Sequence, residues 1–582
     1  MSGRLIAFSL SVLLAVFAAP ALAQFHCVIQ GTITDVTGAA IPEASVRVRN
    51  LATGVTRATL ASAEGAYQVP SLPAGSYEIT IEKSGFQPVK RSSLTLGFGD
   101  TAKADFILKL GAVVQEITVS EQAGQVETEQ NEVSARMEGN LVRELPLNGR
   151  NILNLVALQP GITGRGPSTS MGSSFSSGND SFSGETGPEL YAAGARSEAN
   201  NFTVDDTSVN AVARLGVTNL VPNAESVDQV RVVTNSFSAA EGQSSGARVQ
   251  IMTKSGSNSF HGGVSHYFQN NMLAARNVFE EDLPVFRKNQ FSYRVGGPIR
   301  KNRTFFYHSY EGLRQSGARG RTATVETQAF RDFVTQTRPN SIAAKLLKEL
   351  PLSVYPTYNF RDLGSPAKGA NVIGPADGIF DVGTASFLPN TRRRGDQWSG
   401  RIDHELRPGK DRLYGNFYRT RASTLNGGIR SSLDRVTDET THFGSLNHTH
   451  IAGATKLNEL RLGVMRLVGL PRKPDRLDIP NISISGATGF SLNGSNLYPV
   501  GWYQTNYTAR DVFSWRRSSH SLKIGGELRR NVNVAVNTSN YVPGYSFHSL
   551  LDFADDEPLQ ATRFVDPRTG EPATAYTSQT FL

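Results

Sequence analysis

The chain has 582 residues, a formal net charge of +8, a hydrophobic fraction of 39% and one cysteine, Cys27. A single cysteine excludes an intramolecular disulfide framework, so stability must come from burial and hydrogen bonding. The basic residues are spread through turns such as Arg392-Arg393-Arg394 and along strand faces, without an aromatic-basic recognition module, which argues against nucleic acid as a partner.

Met1 and Arg4 precede an apolar run from Leu5 to Ala19 and a small-residue end at Ala21-Leu22-Ala23. This is the pattern of a secretory signal peptide over residues 1–23, and the run is shorter than the roughly 20 residues a helix needs to cross a bilayer. Gln24-Phe25-His26 lacks the small residues that a lipoprotein signal places before its cysteine, so Cys27 is not expected to be acylated. No later run has the length of a transmembrane helix. A membrane role would therefore use strands, and 55 glycines with 9% aromatic residues agree with that.

Residues 24–112 read as a small β-sandwich. Val28–Ile33, Ala44–Val48, Tyr77–Ile81 and Ala104–Leu108 alternate apolar and polar positions between Gly and Pro turns. Gly31-Thr32-Ile33-Thr34-Asp35, Gly38, Pro42, Val46-Arg47-Val48, Gly65-Ala66-Tyr67 and Leu72-Pro73-Ala74-Gly75-Ser76-Tyr77 resemble the carboxypeptidase regulatory-like domain. That resemblance implies a prealbumin-like sandwich, of carbohydrate-binding-like fold, with no peptidase chemistry.

Residues 113–140 form a peptide and linker, with β-prone Gln115–Ser120 followed by a polar stretch. Residues 141–256 are the next unit. Leu145-Pro146-Leu147-Asn148-Gly149-Arg150-Asn151 gives a turn before an amphipathic segment, and residues 161–187 are a Gly/Ser-rich loop. Strand-like segments follow around Asn201–Asp205, Val227–Thr234 and Ala247–Lys254.

From residue 257 to 582 the pattern is paired alternating strands. Trp398, Gly400, Ile402 and Leu406 share one face, while Ser399, Arg401, Asp403 and Glu405 share the other, before a turn at Pro408–Asp411. Leu413, Gly415 and Phe417 then alternate with Tyr414, Asn416 and Tyr418. A second hairpin turns at Arg516–His520, and a third is expected to turn at Gly297–Arg303. Short turns alternate with the long connections Glu311–Gly395 and Val468–Gln504, the asymmetry of outer-membrane barrels.

Three segments are similar to Oar-like TonB-dependent receptors. Leu145–Asn151 with Leu158-Gln159-Pro160-Gly161, and Gly194-Ala195-Arg196 with Asn200–Asp205, carry the first part of the likeness. Thr234–Ala239, Thr253–Asn258, Phe260-His261-Gly262, Gly297-Pro298-Ile299 and Tyr310-Glu311-Gly312 carry the rest. Asp205-Asp206 departs from the family's usual Asp-Gly, and Ala240-Glu241-Gly242-Gln243 from its Glu-Tyr-Gly-Arg. The resemblance implies an all-β-dominated chain comprising the sandwich, an α+β plug domain and part of a large antiparallel transmembrane β-barrel in the bacterial outer membrane, with the sandwich periplasmic. It implies TonB-driven import of a large or scarce ligand, with oligosaccharide, peptide and metal-chelate all compatible, and as partners a TonB-type energy-coupling protein of the inner membrane and outer-membrane lipid.

Glu116-Ile117-Thr118-Val119-Ser120 resembles the family's TonB box, an extended peptide able to add as a strand to a partner sheet; the competing reading is an edge strand or linker. Plug and barrel are expected to meet through polar and ionic contacts, with Arg150 and Arg196 either pairing with an inward carboxylate such as Glu311 or bracing turns within the plug. His448 and His450 share a strand face, read as a lumen-facing pair without a third metal ligand. No catalytic constellation, metal set or cofactor motif stands out. An adhesion or surface-assembly protein anchored by the barrel is the alternative. With nine or ten strands after Phe260, the barrel is expected to be incomplete, its further strands lying C-terminal.

Overall fold

The computed structural model describes residues 27–111, 115–117, 133–145, 147–168, 180–185, 187–212, 215–235, 242, 245–276, 278, 283–318, 320–367, 369–370, 372–453, 455–472, 479–485, 490–492, 500–517, 520–537, 543–562 and 579–581. The expected signal peptide, Thr118-Val119-Ser120 and Pro146 lie outside the described residues.

Two sheets make the sandwich. One joins Ala66–Leu72, Cys27–Asp35, Thr101–Lys103 and Phe106–Leu108; the other runs Thr56–Leu60, Ser45–Asn50, Gly75–Glu82, Val89–Leu96 and Gln115–Ile117. Alternation decides the faces: Val46 and Val48 are buried while Arg47 and Arg49 are exposed, so each strand contributes every second side chain to the core. Tyr67 and Tyr77 are buried with their hydroxyls donating to the carbonyls of Ala104 and Pro73, both at 2.6 Å, which satisfies the one polar atom each ring carries inward. Gly31 sits where two backbones close up, since a Cβ there would lie 2.0 Å from the Ala104 carbonyl oxygen.

The second unit is a five-stranded mixed sheet in the order Val133–Glu138, Val227–Asn235, Arg248–Thr253, Asn201–Val204, Thr207–Ser208. Val133–Glu138, assigned to the linker from sequence, is its edge strand, antiparallel to Val227–Asn235. Short helices Gly139–Glu144 and Leu153–Val156 pack Val142, Leu153 and Val156 against Val230, Val232, Val249 and Ile251.

A ten-stranded antiparallel sheet takes the remaining chain, with every neighbour in sequence order from His261–Asn270 to Gln579–Phe581. Among the described residues the first and last strands do not pair with each other, so the sheet is open. Strand Thr391–Arg407 alternates, as Asp411–Asn426 and Arg435–Ile451 do: Gln397, Ser399, Arg401 and Asp403 are buried against the plug, while Trp398 and Ile402 face outward. A polar inner face and an apolar outer face are what lipid on one side and a filled lumen on the other require. The third hairpin departs from its sequence reading. Its strand runs on through Gly297-Pro298 to Arg300, with a register shift between Pro298 and Arg300, and the turn is Lys301–Arg303. Proline is tolerated there because the bulge frees it from donating to the ladder.

The long connections are folded. Strand Thr304–Ala318 extends beyond Glu311, and the connection after it carries helices Gln328–Thr337 and Ile342–Glu349 and a small sheet. Phe330, Val334 and Leu347 from this connection share one core with Ile482 and Phe490 from the next and with Phe547, Leu550 and Phe553 from the last. The result is a cap at the end of the sheet away from the short turns. Thr327 and Ser341 begin its two main helices by accepting from the Phe330 and Ala344 amides.

Two predictions follow from these units. The fragment 27–110 should unfold cooperatively in isolation, and Gly31→Ala should destabilise it by about 1–3 kcal/mol, because neither backbone can retreat; an unchanged denaturant midpoint would contradict the close approach. In the cap, burial pushes the Asp381 carboxyl up to about 7, with Asp377 and Asp362 adding like charge against the Leu363 and Gly364 amides. The folded cap therefore favours protonated Asp381, a contribution fully present below the ordinary carboxylate value of 3.8 and lost as pH rises through about 7. Asp381→Asn should make hydrogen exchange of residues 327–347 slower at pH 8 and flatten its pH dependence between 4 and 7; parallel profiles for the two proteins would contradict this.

Candidate functional site

The plug and the inner face of the sheet meet through buried charge, and the plug's turns decide which charges arrive. In Asn148-Gly149-Arg150 both Gly149 and Arg150 take positive φ, at 65° and 54°, which swings the Arg150 side chain toward the sheet. Its Nη2 lies 3.1 Å from Glu225 Oε1 and 3.8 Å from Glu311 Oε2, and its guanidinium stacks 4.2 Å from the Tyr267 ring centroid. Glu225, a plug residue, is also paired with Arg294 of the sheet and accepts a 3.0 Å bond from the Ser265 hydroxyl. Burial alone would raise the Glu225 carboxyl, but Arg150 and Arg294 hold it below the usual carboxylate range. Glu311 accepts a 2.6 Å bond from Gln290 Nε2.

A second centre forms at the Asn201–Val204 and Thr207–Ser208 hairpin. Asp205 and Asp206 are its two turn residues, with φ of 43° and 62°, the left-handed pair that a two-residue hairpin demands. Asp205 accepts from the Thr253 amide at 3.0 Å and hydroxyl at 2.6 Å, and from Asn416. Arg401 reaches it at 3.4 Å while also gripping Asp403, which Arg412 holds from the other side at 2.7 Å. Burial raises the Asp205 carboxyl above its ordinary value despite Arg401. Asp206 faces two more buried arginines, Arg248 at 3.9 Å and Arg461 at 3.5 Å.

A third lies at Asp180, which pairs bidentately with Arg393 at 2.6 and 2.7 Å. Beside it the Gly184 amide donates to Glu439 at 2.9 Å, and Gln504 joins Glu185 to the Val212 amide and Asn219. Gln397 accepts from the Asn223 amide and side chain at 2.6 and 2.9 Å. The seam is not wholly polar: Tyr418, Phe443 and Met465 of the sheet join the plug's apolar core.

The structure thus brings Arg150 and Glu311 together and leaves Arg196 exposed at the start of the short helix Ser197–Ala199. Gly194 takes a positive φ of 78° in the preceding turn. Leu145 is exposed, Leu147 packs on the plug core, and Asn151 is buried with its side chain accepting from the Leu153 amide. Glu225, Asp180, Arg294, Arg393 and Arg401 were not singled out from sequence. Arg401 was read there on a strand face with Ser399, Asp403 and Glu405, whereas Arg393 was read in a turn and lies instead within strand Thr391–Arg407; nothing local announced the partners of either. His448 and His450 lie on the outer face, not the lumen face: Ser445, Asn447 and Thr449 point inward, and His450 Nδ1 sits 2.6 Å from Asp411. Among the described residues no group of three or more His, Cys, Asp or Glu forms a metal set.

The sandwich seats at the short-turn end. Asn258, just before the first strand, donates to the Thr53 carbonyl at 2.6 Å, and Asn302 of the Lys301–Arg303 turn lies against Gly54. On the plug side, Asp100 pairs with Arg136 at 2.6 Å and the Phe98 amide donates to Gln229 at 2.8 Å. Gln115–Ile117, the described part of the coupling-peptide candidate together with its preceding residue, runs parallel to Val89–Leu96 at the edge of the sandwich, placing Glu116 opposite Lys90 and Ile117 opposite Arg91.

The model of the outer membrane beta barrel domain matches residues 252–581, and that of the carboxypeptidase regulatory-like domain matches residues 28–109. The TonB-dependent transporter Oar of Myxococcus xanthus is 24% identical over 264 residues, covering 43% of this chain and 23% of that protein. Among solved structures, the outer membrane transporter YddB from Escherichia coli aligns over 71% of this chain and 50% of its own at 11% identity, with a TM-score of 0.44. The siderophore receptor PirA from Acinetobacter baumannii aligns over 70% and 49% at 12% identity, with a TM-score of 0.40. The chain spans about a quarter of the curated relative and about half of these structures.

Removing one member of a buried ion pair leaves the other uncompensated, at a cost of about 3–5 kcal/mol. Glu225→Gln should therefore loosen the plug, read as lost hydrogen-exchange protection in residues 139–156 and 223–234 with the sheet strands unchanged. Wild-type protection in that variant would show that Glu225 does not hold the plug.

Proposed function

Because this chain belongs to the outer membrane beta barrel domain family, we propose that it works as a gated importer of the outer membrane, driven by a TonB-type protein of the inner membrane. The observation that supports this reading is the plug itself: a unit with its own five-stranded sheet, whose carboxylates Glu225, Asp205 and Asp180 each meet an arginine of the surrounding sheet. Ion pairs fix a position without the continuous apolar seam that would make withdrawal prohibitive, because water entering the lumen can solvate the separated charges. The short-turn end, where the sandwich sits, faces the periplasm in such barrels, and the cap faces outward. The cargo is a ligand too large or too scarce for passive pores, with an oligosaccharide or a peptide fitting that description. Coupling runs through Glu116–Ser120, whose backbone groups can add to a partner sheet.

Proline at Ile117 or Val119 removes one backbone donor from that peptide. In cells carrying either variant at normal surface levels, uptake should fall to the level of a strain lacking the protein while ligand binding at the surface persists. Wild-type uptake would remove Glu116–Ser120 from the mechanism and favour the anchoring role.

A further inference from the structure

The ion-pair centre around Arg401 is covered on its short-turn side by the sandwich. Asp403, Glu405 and Arg412 are buried, although Leu406, Arg407, Pro408 and Lys410 of the intervening turn are exposed. Over them lies the sandwich hairpin between Ser45–Asn50 and Thr56–Leu60. Gly409 closes on the Thr56 carbonyl, where a Cβ would stand 3.0 Å away. Asn258 donates to the Ala52 carbonyl from its backbone at 2.9 Å and to that of Thr53 from its side chain at 2.6 Å. Asn258 also holds Asn302, whose side chain fills the space beside Gly54. Between the two surfaces is a cavity of about 30 Å³, lined by Val55, Arg57 and Pro73 on one side and Asp403, Glu405 and Arg412 on the other. That is room for about two water molecules.

Arg57 is the charged residue that the sandwich brings to this lining. It is 7% exposed, donates to the Pro70 carbonyl at 2.9 Å and makes no ion pair of its own. The sheet sets its field: Glu405 and Glu459 attract it, and Arg412 repels it. Glu405 Oε2 is buried without a hydrogen bond, so the nearby guanidinium offsets a charge that would otherwise stand uncompensated. From this point a chain of charges reaches the plug: Arg412 to Asp403 at 2.7 Å, Asp403 to Arg401 at 2.8 Å and Arg401 to Asp205 at 3.4 Å. The sandwich grips the two bodies unequally. On the plug it makes the Asp100–Arg136 ion pair, and Arg136 lies so close over Gly97 that a Cβ there would meet its guanidinium at 1.7 Å. On the sheet its hydrogen bonds come from neutral amides.

We propose that the sandwich is a removable seal. Seated, residues 50–57 keep water from the charges running from Arg412 to Asp205, with Arg57 as the positioning residue that balances Glu405; unseated, those charges are hydrated and the plug loses that anchor. Charges in water attract each other far more weakly than buried ones, and salt screens them. Because the sandwich holds the plug by an ion pair and the sheet by neutral amides, a pull from the periplasm parts it from the sheet first. That role in opening rests on the import reading, whereas the seal itself does not.

The test needs neither cargo nor inner-membrane partner, so failure of the seal and failure of the import reading are distinguishable. Hydrogen exchange of the full chain in lipid vesicles is compared for the wild type, for Asn258→Ala with Asn302→Gly, and for Arg57→Gln. Asn302 has a φ of 58°, so glycine keeps its turn. The double variant should free residues 52–57 while 97–100 stay protected. Exchange in 201–208 and 248–253 should then rise roughly tenfold, and further between about 0.1 and 1 M salt as the screening length falls from about 10 to 3 Å. The wild type should lack this salt dependence, and residues 139–156, beside the Arg150 centre, should not change in any variant. Arg57→Gln should give the same salt-dependent loss with 52–57 still protected, and Arg57→Lys should reverse it. Unaltered exchange at 201–208 in the double variant or in Arg57→Gln, a loss independent of salt, equal loss in 139–156, release of 97–100 together with 52–57, or no recovery with lysine would each overturn the proposal.

Discussion

Everything inside this sheet depends on pairing charge where water is scarce. Removing a carboxylate or a guanidinium from water costs several kcal/mol, and only a close partner with its remaining hydrogen bonds satisfied offsets that. Two of the inward arginines answer this with acids from both bodies. Arg150 of the plug lies between Glu225 of the plug and Glu311 of the sheet; Arg401 of the sheet lies between Asp205 of the plug and Asp403 of the sheet. A plug rotated by one strand would leave these charges facing hydroxyls or each other. The ion pairs therefore specify orientation more than they add stability, while Tyr418, Phe443 and Met465 supply the apolar contact that favours seating at all.

Much of the fold was legible because strand alternation is a local signal. The two faces of Trp398–Leu406 could be read from the residues alone, since a period of two needs no knowledge of neighbours. The partners of the inward charges could not. Glu225 sits in Pro222-Asn223-Ala224-Glu225, a segment without periodicity, and only the fold sets it beside Arg150 and Arg294. The Asp205-Asp206 departure has a similar cause. Left-handed backbone costs a non-glycine residue about 1–2 kcal/mol, which would favour glycine at the second turn position. The Asp206 carboxylate, however, faces Arg248 and Arg461, which a glycine would leave with one acid fewer. The histidine face was misread for want of one fixed point: a shift of a single residue exchanges inside and outside along a whole strand.

The sandwich is more than an appendage in this arrangement. It touches the Lys301–Arg303 turn, the segment before the first strand and the plug's Arg136 and Gln229, and it holds Gln115–Ile117 along one edge. On the import reading, a partner strand at Glu116–Ser120 competes for backbone groups that the sandwich engages. Three ladder positions in a parallel edge pairing form a modest barrier, suited to a contact that must be exchanged and not merely formed.

The cap has a consequence for the order of assembly. Its core unites Phe330 and Phe553, from connections separated by six strands of the sheet, Thr391–Arg407 through His520–Asn537, with Ile482, which follows the fourth of them. Closing such distant segments on each other forfeits chain entropy until the intervening strands have shortened the effective loop. The cap is thus a late folder, completed only after those six strands are zipped in register, and its burial of Phe553 against Phe547 and Phe490 marks that the wall beneath it has been correctly built.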